Sequence, residues 1–238
     1  MPNDVMTWPE DRRTVDQLGV DARATFISRT YTHLFVAILA FVGVVAGLLQ
    51  TSIPVKMLEF MSGGAWRWLV FLGAFMVVGM LASKTAFKAK SKSAQYLALL
   101  GYVVAEAFLF LPLLYIANLY AGGGVIQSAA LVTLLGFAGL TAVVMVTRKD
   151  FSFLRGIVMY GGIVAILIIV GGVAFGLNLG TWFSVAMVAL AGASILWETS
   201  NVLHHYPEDK YVAASLSLFA SIALMFWYVL QLFLASDN

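Results

Sequence analysis

Seven runs of roughly 20 mostly apolar residues recur along the chain, at 31–50, 66–83, 94–116, 126–147, 153–175, 181–203 and 211–234. A helix rising 1.5 Å per residue crosses a hydrocarbon core of about 30 Å with such a run. Composition agrees: 61% of the residues are hydrophobic and only 11% charged, where a soluble domain carries about 25% charged residues. The chain therefore reads as an all-α polytopic membrane protein. A polar tail over 1–29 precedes a single seven-helix transmembrane domain over 30–238. The breaks carry turn chemistry, with "SGG" from Ser62, "AGGGV" from Ala121, "LNLG" from Leu177 and "HHYPED" from His204. The break between spans five and six is so short that those helices must be antiparallel neighbours.

Basic residues near helix ends orient such a chain. Arg12, Arg13, Arg23 and Arg29 lie in the tail; Lys84, Lys88, Lys90 and Lys92 follow span two; Arg148, Lys149 and Arg155 follow span four; Lys210 follows span six. Only Lys56 and Arg67 fall on the other side. This bias predicts a cytoplasmic N-terminus and an external C-terminus, and it holds only for an odd number of spans. Trp66, Trp68 and Trp182 sit at predicted outer ends, as an aromatic belt would, while Trp197 and Trp227 lie deeper. Gly43 with Gly47, and Gly172 with Gly176, are small residues four apart, which predicts close packing of helices within the bundle.

Several function classes drop out. A net charge of +2 argues against a nucleic-acid partner, and without cysteine there is no thiolate chemistry. The tail has no apolar core and does not read as a cleaved signal peptide. No nucleophile elbow, phosphate-binding loop or paired metal-ligand histidines point to an enzyme, and no cofactor is expected. Adjacent His204 and His205 lack a carboxylate or thiol at ligand spacing, so any metal is unassigned.

Buried charge is the remaining signal. Of twelve acids, only Glu106 and Glu198 lie inside predicted spans, and no Lys or Arg lies well inside one. An acid within a membrane costs a few kcal/mol or more unless it is protonated, borders water or binds a cation. Glu106 falls on the order of 18 Å deep, near the bilayer middle; Glu198 lies about 8 Å from the inner end. For Glu198 two readings stand, a helix-ending carboxylate at the headgroups or a working group. Pro112 should loosen the helix six residues after Glu106. Asp150 and Arg148 read as a capped, anchored turn.

"FISRTYTHL", "LTAVVMVTRKDFSFLRGIV", "ILWETSNVLHHYPEDKYV" and "AASLSLFASIALMFWYVLQLF" together resemble the Bax inhibitor-1 (transmembrane Bax inhibitor motif) family, in particular its bacterial YccA-like and YetJ-like members. The resemblance covers the whole membrane region. It implies a bundle with the last span inside a ring of the others, in a bacterial inner membrane. Some members are described as pH-sensitive calcium leak channels, sensed by one aspartate in span six and one in span seven. Those positions fall on Glu198, followed by Thr199, and on Ser221. The second carboxylate is missing, so the two-aspartate sensor is incomplete, and the family's span-seven asparagine is replaced by Leu224.

The resemblance implies Glu198 and Ser221 for an ion path or pH sensing, and the reading of acids inside the spans adds Glu106. Lys84, Lys88, Arg148 and His204 are the candidate gating partners. The leading reading is a calcium or proton leak. The alternatives are a non-conducting modulator that binds a membrane protease through its N-terminal tail, as the resemblance to YccA-like proteins implies, and a structural subunit of a membrane assembly.

Overall fold

The computed structural model describes residues 13–120, 124–177 and 179–236. The first twelve residues of the tail (Arg12 among them), Ala121–Gly123 of the glycine-rich break, Asn178, and the last two residues lie outside these. Among the described residues the chain forms eight α-helices: α1 (Val20–Leu49), α2 (Ile53–Ser62), α3 (Ala65–Lys88), α4 (Lys92–Tyr120), α5 (Gly124–Thr147), α6 (Leu154–Phe175), α7 (Gly180–His204) and α8 (Tyr211–Ser236). All but α2 are long and apolar enough to cross a membrane. The described residues hold no strand, only an isolated bridge between Thr14 and Pro207.

Two elements differ from the sequence expectation. Helix α1 starts at Val20, well inside the polar segment. Asp21 in its first turn suits the positive end of the helix dipole, and the buried stripe already begins at Phe26 and Thr30. Polarity limits the part of α1 that can cross lipid, not the helix itself. Helix α2 fills the connection between the first two spans, entered through Pro54 in its first turn, where a missing N–H costs nothing. Pro112 does not end α4, which runs through it.

The last helix is the centre of the bundle. Helix α8 packs against α1, α3, α4, α5 and α7, while α6 leans on α3 and α7. Its small residues, including Ala213, Ala214, Ser215 and Ser221, are buried and let neighbours approach from several sides. Aromatic side chains bind α1, α4 and α8 together: Phe110 meets Phe41 edge-on at 5.3 Å and stacks on Phe226 at 5.5 Å. Trp227 closes on Phe110 at 5.0 Å.

The glycine pairs behave differently from expectation. An added Cβ on Gly172 would come within 3.0 Å of Leu179, and Gly176 closes α6 in the left-handed region at φ 66°. Gly43 and Gly47, by contrast, have open space beyond them. They lie on the face of α1 opposite its buried stripe of Leu34, Ala37, Phe41 and Val45, so the predicted packing within the bundle is not made there.

The basic segments meet at one end of the bundle. Lys92 Nζ donates to the Asp209 carbonyl (2.5 Å) and lies 3.8 Å over the Tyr211 ring. Lys210, almost fully buried, reaches back to the Ala89 carbonyl (2.5 Å). These two reciprocal reaches clamp the α3–α4 connection to the α7–α8 connection. The α5–α6 connection joins them: Asp150 Oδ2 is 3.4 Å from His205 Nε2, and Ser200 Oγ accepts from the Phe151 N–H at 2.9 Å. The N-terminal turn docks here too, with Val15 fully buried and its N–H donating to the Tyr206 carbonyl (3.0 Å).

Candidate functional site

Helices α7 and α8 are consecutive and antiparallel, so residues equally far from their connection face one another. Ser194 and Glu198 lie one turn apart on α7; Ser217 and Ser221 lie one turn apart on α8. Ser194 Oγ and Ser221 Oγ are 2.8 Å apart, and Ser221 also donates to the Ser217 carbonyl at 3.2 Å. Nearer the connection, Glu198 is met by Tyr206, whose hydroxyl donates to Oε2 at 3.1 Å. The same hydroxyl is 3.2 Å from Ser217 Oγ. A phenol has one proton, so if Tyr206 donates to Glu198 it accepts from Ser217.

The carboxylate is enclosed. Glu198 is 8% exposed, which removes the reading in which it merely ends a helix at the headgroups. Its other hydrogen-bond partner is Asn201, one turn on. Tyr206 is held in turn by Phe87, stacked at 5.8 Å, and by Phe26 at 6.4 Å. Burial, and then the neighbouring Glu198 charge, push the Tyr206 phenol well above its ordinary pKa, so it stays a proton donor throughout the physiological range. Thr199 turns away toward the Tyr31 hydroxyl, which Thr141 also approaches.

A cavity of about 860 Å³ approaches this site from the opposite end of the bundle. Its lining runs from Leu179, Thr181 and Ala235 inward to Ser194 and Ser221, a depth of about 20 Å along α7. Glu198, Tyr206 and Ser217 are not among its walls. The Ser194–Ser221 pair therefore forms its floor, with Glu198 one turn beyond. Glu106 lines the cavity from α4, beside Tyr102, with which it hydrogen-bonds. On the far wall Ser184 Oγ donates to Gln231 Oε1 at 3.1 Å.

The residues picked from sequence are thus partly gathered. Ser221 and Glu106 share the cavity, and Glu198 lies behind its floor. Ser221 pairs with Ser194 rather than with Glu198, because the antiparallel register puts Ser217 level with Glu198. Lys84, Lys88 and Arg148 are exposed at the basic end, and no described salt bridge joins them to Glu198. His204 Nε2 is buried without a hydrogen-bond partner, its ring 6.0 Å from His205. Sequence reasoning missed Tyr206, Ser217 and Ser194. The serine pairs at helical spacing were readable; Tyr206, in a connection eight residues past Glu198, was not.

A family model described as "Inhibitor of apoptosis-promoting Bax1" matches residues 23–238. The chain belongs to the Bax inhibitor-1 family. Relatives of this Bax inhibitor-1 family protein include an uncharacterised protein of Pseudomonas aeruginosa, 39% identical over 125 residues, covering 50% of this chain and 55% of that one. Another is "Modulator of FtsH protease YccA" of Escherichia coli K12, 33% identical over 137 residues, covering 56% of this chain and 58% of that protein. The chain spans about half the length of the curated relatives it matches. A further relative, from Escherichia coli O6:H1, is named "Inner membrane protein YccA". With seven apolar spans of its own, this chain is an integral protein of the inner membrane.

Proposed function

We propose that the protein is a leak path for small cations, calcium or protons, governed by Glu198 and entered through the cavity that Glu106 lines. One observation carries this reading: a lone carboxylate, enclosed without a basic partner among the described residues, stands one turn beyond the floor of a deep internal cavity. A carboxylate so placed is costly to the fold unless it serves protons or cations. Tyr206 and the serine pair act as the closure, and the polar line from Gln231 through Ser221 to Ser217 marks the route. The basic end faces the cytoplasm in this reading, as the positive-inside rule predicts. Calcium flux into dye-loaded liposomes across a pH series tests it. Wild type should leak, Glu198→Gln should lose most of the flux, and Ser221→Asp, restoring a second acid, should shift its pH response. Folded wild-type protein that passes no calcium or protons at any pH would end this reading.

A second reading draws on the relative named as a modulator of FtsH protease. The chain would then act on a membrane protease through its N-terminal tail, whose anchor at Val15 touches the Tyr206 backbone. Deleting residues 1–12 should abolish that effect and leave any flux unchanged.

A further inference from the structure

The cavity is built for a larger guest than a metal ion. Among the described residues, Glu106 is the one charged side chain on its walls. A dehydrated calcium ion needs six to eight oxygen ligands at about 2.3–2.6 Å, and among the described residues no three His, Asp or Glu side chains gather as a metal site. The walls are instead largely apolar, with the aromatic rings of Trp68, Tyr102, Phe110, Phe183, Trp227 and Tyr228. A volume of about 860 Å³ falls in the range of small-molecule sites, roughly 300–1,000 Å³. Such sites pair an apolar body with a few placed polar groups. Indole and phenol faces attract cations, most strongly where water is excluded. One carboxyl group, several aromatic rings and no second ion-pairing group among the described residues together describe the complement of a singly charged organic cation.

We infer that the cavity is a binding site for an amphipathic organic cation, an alkyl- or arylammonium compound, with its charge at Glu106 and its apolar body against the rings. Glu106 is suited to this because its one side-chain partner, Tyr102, is on its own helix, and a carboxylate has acceptor capacity beyond a single hydrogen bond. Ser184 donates to Gln231 Oε1 and Ser194 pairs with Ser221, so these polar walls are engaged in part with one another. Binding does not require that the protein conduct ions, and it is read without flux.

Full-length protein in nanodiscs, titrated with benzyltrimethylammonium, tests this. The readout is tryptophan fluorescence, with Trp68 and Trp227 in the walls as reporters. The uncharged isostere, neopentylbenzene, is titrated in parallel. Saturable binding of the cation is expected, at least tenfold tighter than the isostere. Glu106→Gln should weaken the cation at least tenfold and leave the isostere unchanged; Lys84→Gln, at the exposed basic end, should alter neither. Equal binding of the two compounds by wild type would show a cavity for apolar chains, lipid acyl tails among them, and would overturn the assignment. So would an absence of saturable binding. Because the isostere comparison is made on wild type, the result stands even if Glu106→Gln does not fold.

Discussion

Glu198 is the residue on which sequence and structure meet. It stood out in the sequence as one of two acids in apolar spans, and the structure encloses it within the bundle. Its chemistry, however, is set by Tyr206, which carries no charge and lies beyond the span. A charge in an apolar run is conspicuous because it breaks a pattern; a tyrosine in a polar turn breaks none. Removing the phenol should leave a buried acceptor without its donor. Tyr206→Phe is expected to destabilise the protein by about 1–3 kcal/mol, measured by denaturant unfolding in detergent. In a Glu198→Gln background the same change should cost less, since a neutral amide needs the donor less. Equal losses in both backgrounds would mean that the Tyr206 hydroxyl contributes through Ser217 rather than through the carboxylate.

At the level of elements, seven spans were legible because each run satisfies the bilayer by itself. Their partners were not, because a helix apolar on every side carries no mark of which face is buried. Gly43 and Gly47 show the ambiguity: the same spacing serves packing at Gly172 and open space on α1. The start of α1 was missed since charges argue against lipid but not against a helix. The lysine clamp was equally hidden. Lys92 and Lys210 counted in sequence only as orientation signals, yet each holds the backbone of the other's connection. Lys210→Met retains apolar volume and removes the ammonium, so it should cost about 1.5–3 kcal/mol, the range for a charge-assisted hydrogen bond. Thermal unfolding of the purified variant checks this, and an unchanged midpoint would assign the stability of that end to other contacts.

The whole molecule is organised around α8, and its basic end adds polar ties to the apolar packing of Val15, Phe26 and Tyr206. These ties make that end responsive to acid. The small burial of Asp150 acts to raise its pKa, but hydrogen bonds from the Ser152 side chain and backbone, electrostatic attraction to the His205 ring and a hydrogen bond from the Ser200 hydroxyl outweigh it and hold the carboxyl below its ordinary range. A depressed carboxyl pKa stabilises the fold above its unfolded value and loses that contribution as pH falls through the folded one. Wild type should therefore lose stability below about pH 4, by a modest amount for so exposed a group, about 0.2–1 kcal/mol. Asp150→Asn should flatten that part of the profile. Stability titrations of the two proteins between pH 5 and pH 3, on the order of the unfolded Asp value, make the comparison.

The bond from the Val15 N–H to the Tyr206 carbonyl also bears on how the molecule is made. A ribosome delivers Val15 long before Tyr206, and chains acquire structure from the N-terminal side as they emerge. The earliest described turn must therefore wait, unpaired, while six spans enter the membrane. Helix α8, which follows those six spans, brings the centre against which α1, α3, α4, α5 and α7 pack. A truncation that stops before Tyr206 leaves α1 without its lock and the other helices without their axis. Assembly of the bundle then waits on α8 rather than proceeding by gradual accretion of spans, and a nascent chain held short of that helix presents its apolar faces to whatever quality control the membrane keeps.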